Sequence, residues 1–573
     1  MINLQHLNLR SPDLVMQPER LGVMWGNRMS FVHRMLSLIF KEGWRISVEK
    51  NRLDPNGCGE LIYHIQTNEQ PLKYVVFSTK LDEEERQDRV IADRWDAATA
   101  LIVGDLTEER LATLRAGVPK QEYGRAEPGT LVWSRGNRSS RFFDHVVQAL
   151  ATGQQPDVNY LAQGGYLLRS TAYYANAKFG LSSYLALQSA QTHPLKGSYM
   201  AQMFSAFLFR EFSLDLAEHI AACQAPRRAV RLDPQIRRFI GIGNATGMGL
   251  VPYVINNPHV IHSWIYAREV TLARIGETPI EPSSPQLKQL FERLKHVRQY
   301  FEEDLTLRQG LFALPTELIP EIDLLLGALR EMQSDFRVER QTIEPLEVSW
   351  SSLIRWAEAR CRLETVELLS SLLIDLYPSY AADAVPLLDE AILGSYQPEM
   401  RLDELRVILN DKYRWALDMD LDLPDARKFF WYYSADSEEP LIGERGKDSG
   451  EDVERPLNIP FRIQALRQAL DDIEPEASVA EFLLVHPEHR FIVERIQRSH
   501  HLNYAEVRTN LMDANVIPLY TQRFQLAQYG MERFNPQSIY WVRVTLLQGA
   551  PTVKELNTGT PLDWEGFSLR PTC

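Results

Sequence analysis

Trp44-Arg-Ile-Ser-Val-Glu49, Asp54-Pro-Asn-Gly57 and Glu60-Leu-Ile-Tyr-His-Ile-Gln66 decide the fold class. The first and third segments alternate apolar and polar residues at a period of two, the spacing of a half-buried strand. The middle one carries turn residues, so together they read as a β-hairpin. Ahead of it, Phe31, Met35, Leu38 and Ile39 recur at helical spacing, and Gly43 stands where that helix would stop. Tyr74-Val-Val-Phe-Ser78 supplies a third strand and Ala97-Ala-Thr-Ala-Leu-Ile-Val103 a fourth. No helix regularly separates these strands, so an antiparallel α+β sheet fits better than a doubly wound one.

From about residue 138 the period becomes helical, over 138–152, 182–190, 197–223, 257–275, 283–305, 316–333, 350–377 and 401–419. Leu287, Phe291, Leu294, Val297 and Phe301 form the clearest apolar stripe, and Pro315, Pro378 and Pro424 punctuate the series. Residues 434–456 are polar, acidic and glycine-bearing, as a solvated loop is. The pattern predicts a small antiparallel-sheet N-terminal domain over 1–125, followed by a large, mainly α-helical body. Within that body, 126–280 holds Gly-, Arg- and Asn-rich motifs, and 281–433 is architectural. The acidic loop over 434–456 leads to a C-terminal helical region, 457–573, with a strand-like run from Ile539 to Leu547.

Composition narrows the function classes. The chain has 573 residues with 45% hydrophobic and 24% charged, ordinary for a soluble globular protein of several domains. Its net charge of −14 argues against a general nucleic-acid partner, though a local basic pocket for a small anion is compatible with it. Cys58, Cys223, Cys361 and Cys573 show no paired spacing for zinc or a disulfide framework. Neither a signal segment nor an apolar run long enough for a bilayer is visible, so the expectation is a cytoplasmic protein without a membrane partner. The sequence indicates no particular cofactor.

The densest motif is Arg237-Arg-Phe-Ile-Gly-Ile-Gly-Asn-Ala-Thr-Gly-Met-Gly249, with Arg227, Arg228 and Arg231 upstream. Glycine allows sharp bends and close approach to the backbone, and turn amides beside arginines suit an anion. A tight crossing of the chain against itself explains the glycines equally well. A dinucleotide loop fits poorly: Arg237 and Arg238 stand where a buried strand is needed, Pro252 follows, and position 262 is His. A second motif, Arg169-Ser-Thr-Ala-Tyr-Tyr-Ala-Asn-Ala-Lys-Phe-Gly180, gathers a guanidinium, hydroxyls, phenols, an amide and an ammonium. A third, Ser134-Arg-Gly-Asn-Arg-Ser-Ser-Arg141, reads as the start of a helix whose arginines could take an anion.

These motifs predict an enzyme with a cleft built from residues 134–262 that binds a small carboxylate- or phosphate-bearing molecule. Arg135, Asn137, Arg138, Arg169, Ser170, Asn176, Gly243, Asn244, Thr246 and Gly247 are the ligand-binding candidates. Tyr173, Lys178, His259 and His262 are the proton-transfer candidates. Two other classes stay open. The helical body could be a non-enzymatic scaffold, which would expose an apolar patch. Alternatively, Glu211, Asp215 and His219, spaced at i, i+4 and i+8 on one helix, could serve a metal-dependent enzyme, although they could also be a salt-bridged face.

Overall fold

Alternation around Gly57 produces the expected hairpin in the computed structural model, where β1 (Arg45–Asn51) pairs antiparallel with β2 (Gly59–Gln66). Gly57 closes the turn at φ +82°, a conformation that favours glycine. The structure describes residues 6–80, 95–117, 129–138, 140–175, 178–179, 193–196, 200–244, 255, 257–281, 283–303, 315–333, 349–390, 393–421, 429–431, 458–471, 473–508, 516–536, 542–559, 564 and 566–571. The expected helix over 182–190 and the whole of the acidic loop over 434–456 lie outside them.

The architecture is α+β, with an antiparallel-rich sheet beginning at the N-terminal end and a large helical body. The hairpin continues antiparallel through β3 (Leu72–Lys80), β4 (Trp95–Val103), β5 (Thr130–Arg138) and β6 (Tyr166–Ala175), with the short β7 (Lys178–Phe179) folded back on β6. Beyond β6 the sheet changes character. β8 (Gly241–Asn244) joins β6 in parallel, and β12 (Val542–Leu546) and β11 (Met531–Pro536) complete that side. The remaining strands, β9 (Phe429–Trp431) and β10 (Val516–Pro518), form a separate antiparallel pair.

A parallel pair requires a crossover, and here it contains the helix Met200–Gln224. That helix is apolar on almost every side, as a helix enclosed on all sides must be. Its residues pack with strands β1–β6 into one large apolar cluster, while Ile62, Val75, Phe77, Ala100, Ile102 and Trp133 pack on the sheet's other face. β4 is therefore buried along its whole length, which explains its near-continuous apolar sequence. Leu287, Leu294, Val297 and Phe301 of the expected stripe lie in a second cluster with the helices Pro258–Glu277, Pro315–Gln333 and Leu363–Leu376, and Phe291 packs at its edge.

Charge is buried at the joints between these parts. Arg210, fully buried in the crossover helix, donates to the carbonyls of Ile240 at 2.6 Å, Pro551 at 3.1 Å, Ala550 at 3.0 Å, Arg238 at 3.1 Å and Arg237 at 3.2 Å. Those acceptors include the last carbonyls of the helix Pro234–Phe239, the residue entering β8, and the segment after β12. Burial lowers the Arg210 pKa to about 10, so the guanidinium stays charged at neutral pH. At the other joint, Arg10, Arg20 and Arg268 surround the buried Glu367. Burial alone would raise that carboxyl; Arg10, Arg268 and Arg20 hold it well below the usual range.

Removing one member of a buried charged network costs about 3–5 kcal/mol, whereas a half-exposed pair contributes about 1 kcal/mol or less. Arg210→Met should accordingly lower the urea midpoint far more than Arg238→Met, whose guanidinium meets Glu555 at 3.2 Å in a half-exposed setting. Equal losses in the two variants would contradict this placement of Arg210.

Candidate functional site

Strands β5, β6, β8 and β12 bring the polar motifs into neighbouring rows. In register, Asn137 lies opposite Arg169, Arg169 beside Gly243, and Gly243 beside Thr545. The next row is Gly136, Ser170, Asn244 and Val544. Segments 134–138, 166–175 and 241–244, well separated along the chain, are thus hydrogen-bonded neighbours. Arg135 and Arg138 belong to β5, where a helix start was expected; the strand ends at Arg138 and the helix begins at Ser140. The cause is tertiary: β5 lies between two strands, and most of its residues are buried, Asn137 included.

The side chains of these rows differ in how they are satisfied. Arg135 Nε donates to Asp96 Oδ2 at 2.6 Å, so its charge is met within the protein. Arg138 lies over the Trp95 ring at 5.8 Å and the Phe143 ring at 5.5 Å, a cation–π setting. Ser170 Oγ donates to the Gly243 carbonyl at 3.4 Å. Arg169 is half-buried, donates from Nε to Asn137 Oδ1 at 3.3 Å, and meets no carboxylate among the described residues.

At the two glycines the protein fills its own space. A Cβ on Gly243 would lie 2.7 Å from the Tyr166 ring, and one on Gly241 would meet the Leu546 carbonyl. Both positions therefore serve close strand packing. Thr246 and Gly247 lie outside the described residues, as does Asn176. Tyr173 sits in β6 opposite Ser134, and Lys178 in β7 opposite Ala175, on the hairpin that continues from Arg169.

His259 and His262 occupy the first turns of the helix Pro258–Glu277. His262 stacks with Tyr266 and Tyr504 and accepts from the Tyr504 backbone N–H at 3.1 Å through Nδ1. Burial, then the nearby His501, lowers its pKa to about 4; burial and Arg498 do the same for His259. Both rings are neutral at neutral pH. Their neighbours belong to segment 498–504, and no described contact joins them to β6.

Glu211, Asp215 and His219 do share a helix face, and arginine neutralises the two acids. Arg237 contacts Glu211 at 3.3 Å, Asp215, and Glu218 at 3.1 Å. Burial raises the Glu211 pKa against the pull of Arg210 and Arg237. Tyr63 Oη donates to Asp215 at 2.8 Å, while His219 Nε2 faces the Asp54 carbonyl at 2.9 Å. Among the described residues no group of three His, Cys, Asp or Glu side chains is placed to hold a metal ion.

No protein-family model matches this chain, and neither a curated protein nor a solved structure is significantly similar to it.

The histidines generate a pH dependence of known sign. Their folded pKa near 4 lies below the ordinary 6.5, so the unfolded chain binds more protons between those values. Stability should fall as pH drops from about 6.5 to about 4 and lose no more from these rings below that. The slope should flatten in a His259→Asn/His262→Asn double variant, read from urea midpoints across the window. Imidazole NMR titrations with midpoints near 6.5 would overturn this assignment.

Proposed function

We propose that this protein binds a small carboxylate- or phosphate-bearing molecule at the β5–β6–β8 rows, with Arg169 as its cationic contact and Asn137 and Ser170 beside it. The observation that carries the reading is the state of Arg169. Arg10, Arg20, Arg135, Arg237 and Arg268 each face a carboxylate. Arg169, on a central strand of the sheet, has only the Asn137 amide oxygen among the described residues. A partly desolvated guanidinium without a counter-charge favours an anionic guest, and its forked donors suit carboxylate and phosphate alike. Tyr173 and Lys178, on the same hairpin, are the residues we assign to proton transfer in an enzymatic version of this reading. The neutral, packed state of His259 and His262 supports a structural role for them instead.

No described helix is long and apolar enough to cross a membrane. The free thiols of Cys58, Cys223 and Cys361 support a reducing, cytoplasmic setting. The scaffold reading has its own support: Val407 is 66%, Phe461 51%, Leu484 84% and Val485 70% exposed, all on helices between 402 and 485. It predicts protein partners and no small-molecule response.

Thermal-shift assays with inorganic phosphate, citrate and nucleoside phosphates separate the two, because a ligand that binds the folded state raises Tm. At least one should raise the wild-type Tm; Arg169→Ala should abolish the shift, and Arg169→Lys should keep part of it. A shift unchanged in Arg169→Ala, or no shift with any anion, counts against the proposal.

A further inference from the structure

Asn137 is an unexpected residue for its place. β5 lies between β4 and β6, and asparagine is among the residues that strands disfavour. It is nevertheless only 3% exposed, and a buried amide needs a hydrogen-bond partner. Its cross-strand neighbour is Arg169, whose Nε donates to Asn137 Oδ1 at 3.3 Å. The contact as a whole is part-buried, so the surface it leaves open to solvent belongs to Arg169.

Two residues earlier on the same strand an arginine is treated differently. Arg135 Nε donates to a carboxylate, Asp96 Oδ2, at 2.6 Å. Aspartate and asparagine share nearly the same shape, and differ in that the amide replaces one charged oxygen with an NH2 donor. Beside Arg135 the acid cancels the charge. Beside Arg169 the amide fixes the guanidinium and leaves its charge whole. Holding Nε also decides which donors remain. The Nη1 and Nη2 edge has no partner among the described residues, and Asn137 Nδ2 is a further donor on the amide that holds Arg169.

We propose, on the footing that Arg169 is the anion contact, that Asn137 is the residue that positions it and that the guest is a carboxylate. Asn137 grips Nε with a neutral oxygen and so offers the Nη edge in a fixed plane, its charge uncompensated. An ionised carboxyl group accepts hydrogen bonds only, and its two oxygens match such an edge within that plane. A phosphate monoester brings a charge of about −1.5 to −2 and three acceptor oxygens, more than one guanidinium and one amide can meet. The carboxylate that Asp96 supplies to Arg135 is supplied to Arg169 by the guest.

Thermal shift and calorimetry on the full chain test this with citrate, succinate and benzoate, set against inorganic phosphate and sulfate at matched ionic strength. At least one carboxylate should raise the wild-type Tm at a concentration where phosphate and sulfate do not. Asn137→Asp keeps the shape and gives Arg169 an internal counter-charge. It should weaken that carboxylate roughly tenfold or more, with a ligand-free Tm no lower than wild type. A merely structural asparagine would move Tm and leave the affinity alone. Asn137→Ser removes the grip without adding charge; it should weaken binding less, and provides the comparison should Asn137→Asp fail to fold. Wild-type affinity in both variants would show that Asn137 positions nothing, while the Arg169 reading stood. Phosphate or sulfate acting as strongly as the carboxylates would overturn the assigned guest alone. No response of the wild type to any anion would remove the Arg169 reading itself, and this proposal with it.

Discussion

One buried guanidinium fixes how the two halves of the sheet meet. A helix enclosed on all sides cannot hold an arginine unless its donors are met, and burying a charge unmet is far more costly than burying a methylene. Arg210 meets this requirement with five backbone carbonyls and the Glu211 carboxylate. Those carbonyls belong to the end of one helix, the entrance of β8 and the turn after β12. Satisfying the arginine therefore specifies where β8 starts. Once β8 is placed alongside β6, Asn137, Arg169 and Gly243 share a row.

The local parts of this arrangement were legible in the sequence. The hairpin around Gly57 and the helix Phe31–Lys41 follow from spacing alone, because each is amphipathic and nearly self-contained. The rows carrying the candidate site were less so. Ser134 to Arg141 has the hydroxyls and arginines of a helix start, and only its lateral partners make it a strand: Asp96 for Arg135, Arg169 for Asn137. Parallel pairing of β6 with β8 depends on contacts across about seventy residues, which no local period encodes. The glycines were visible, but their reason was not; the Tyr166 ring against Gly243 is a fact of packing.

The helix Leu519–Tyr529 shows the limit most sharply. Three glutamines and an arginine at helical spacing ordinarily mark a solvated face, and nothing within the segment signals enclosure. Its burial comes from the N-terminal segment and Trp264, hundreds of residues away in sequence. In the same way, Glu211, Asp215 and His219 were correctly placed on one face, yet it is Arg237, from the next helix, that decides their chemistry. Among the described residues buried and part-buried arginines such as Arg10, Arg20, Arg135 and Arg268 face carboxylates, which makes the exception at Arg169 informative.

The joint between β6 and β8 can be examined directly by hydrogen–deuterium exchange of the intact protein. With the strands paired around a satisfied Arg210, peptides covering 166–170, 241–244 and 542–546 should be protected to a similar degree and lose protection together as urea is added. Rapid exchange in 241–244 while 166–170 stays protected would show that β8 is not a strand of this sheet, and the row of Asn137, Arg169 and Gly243 would not exist.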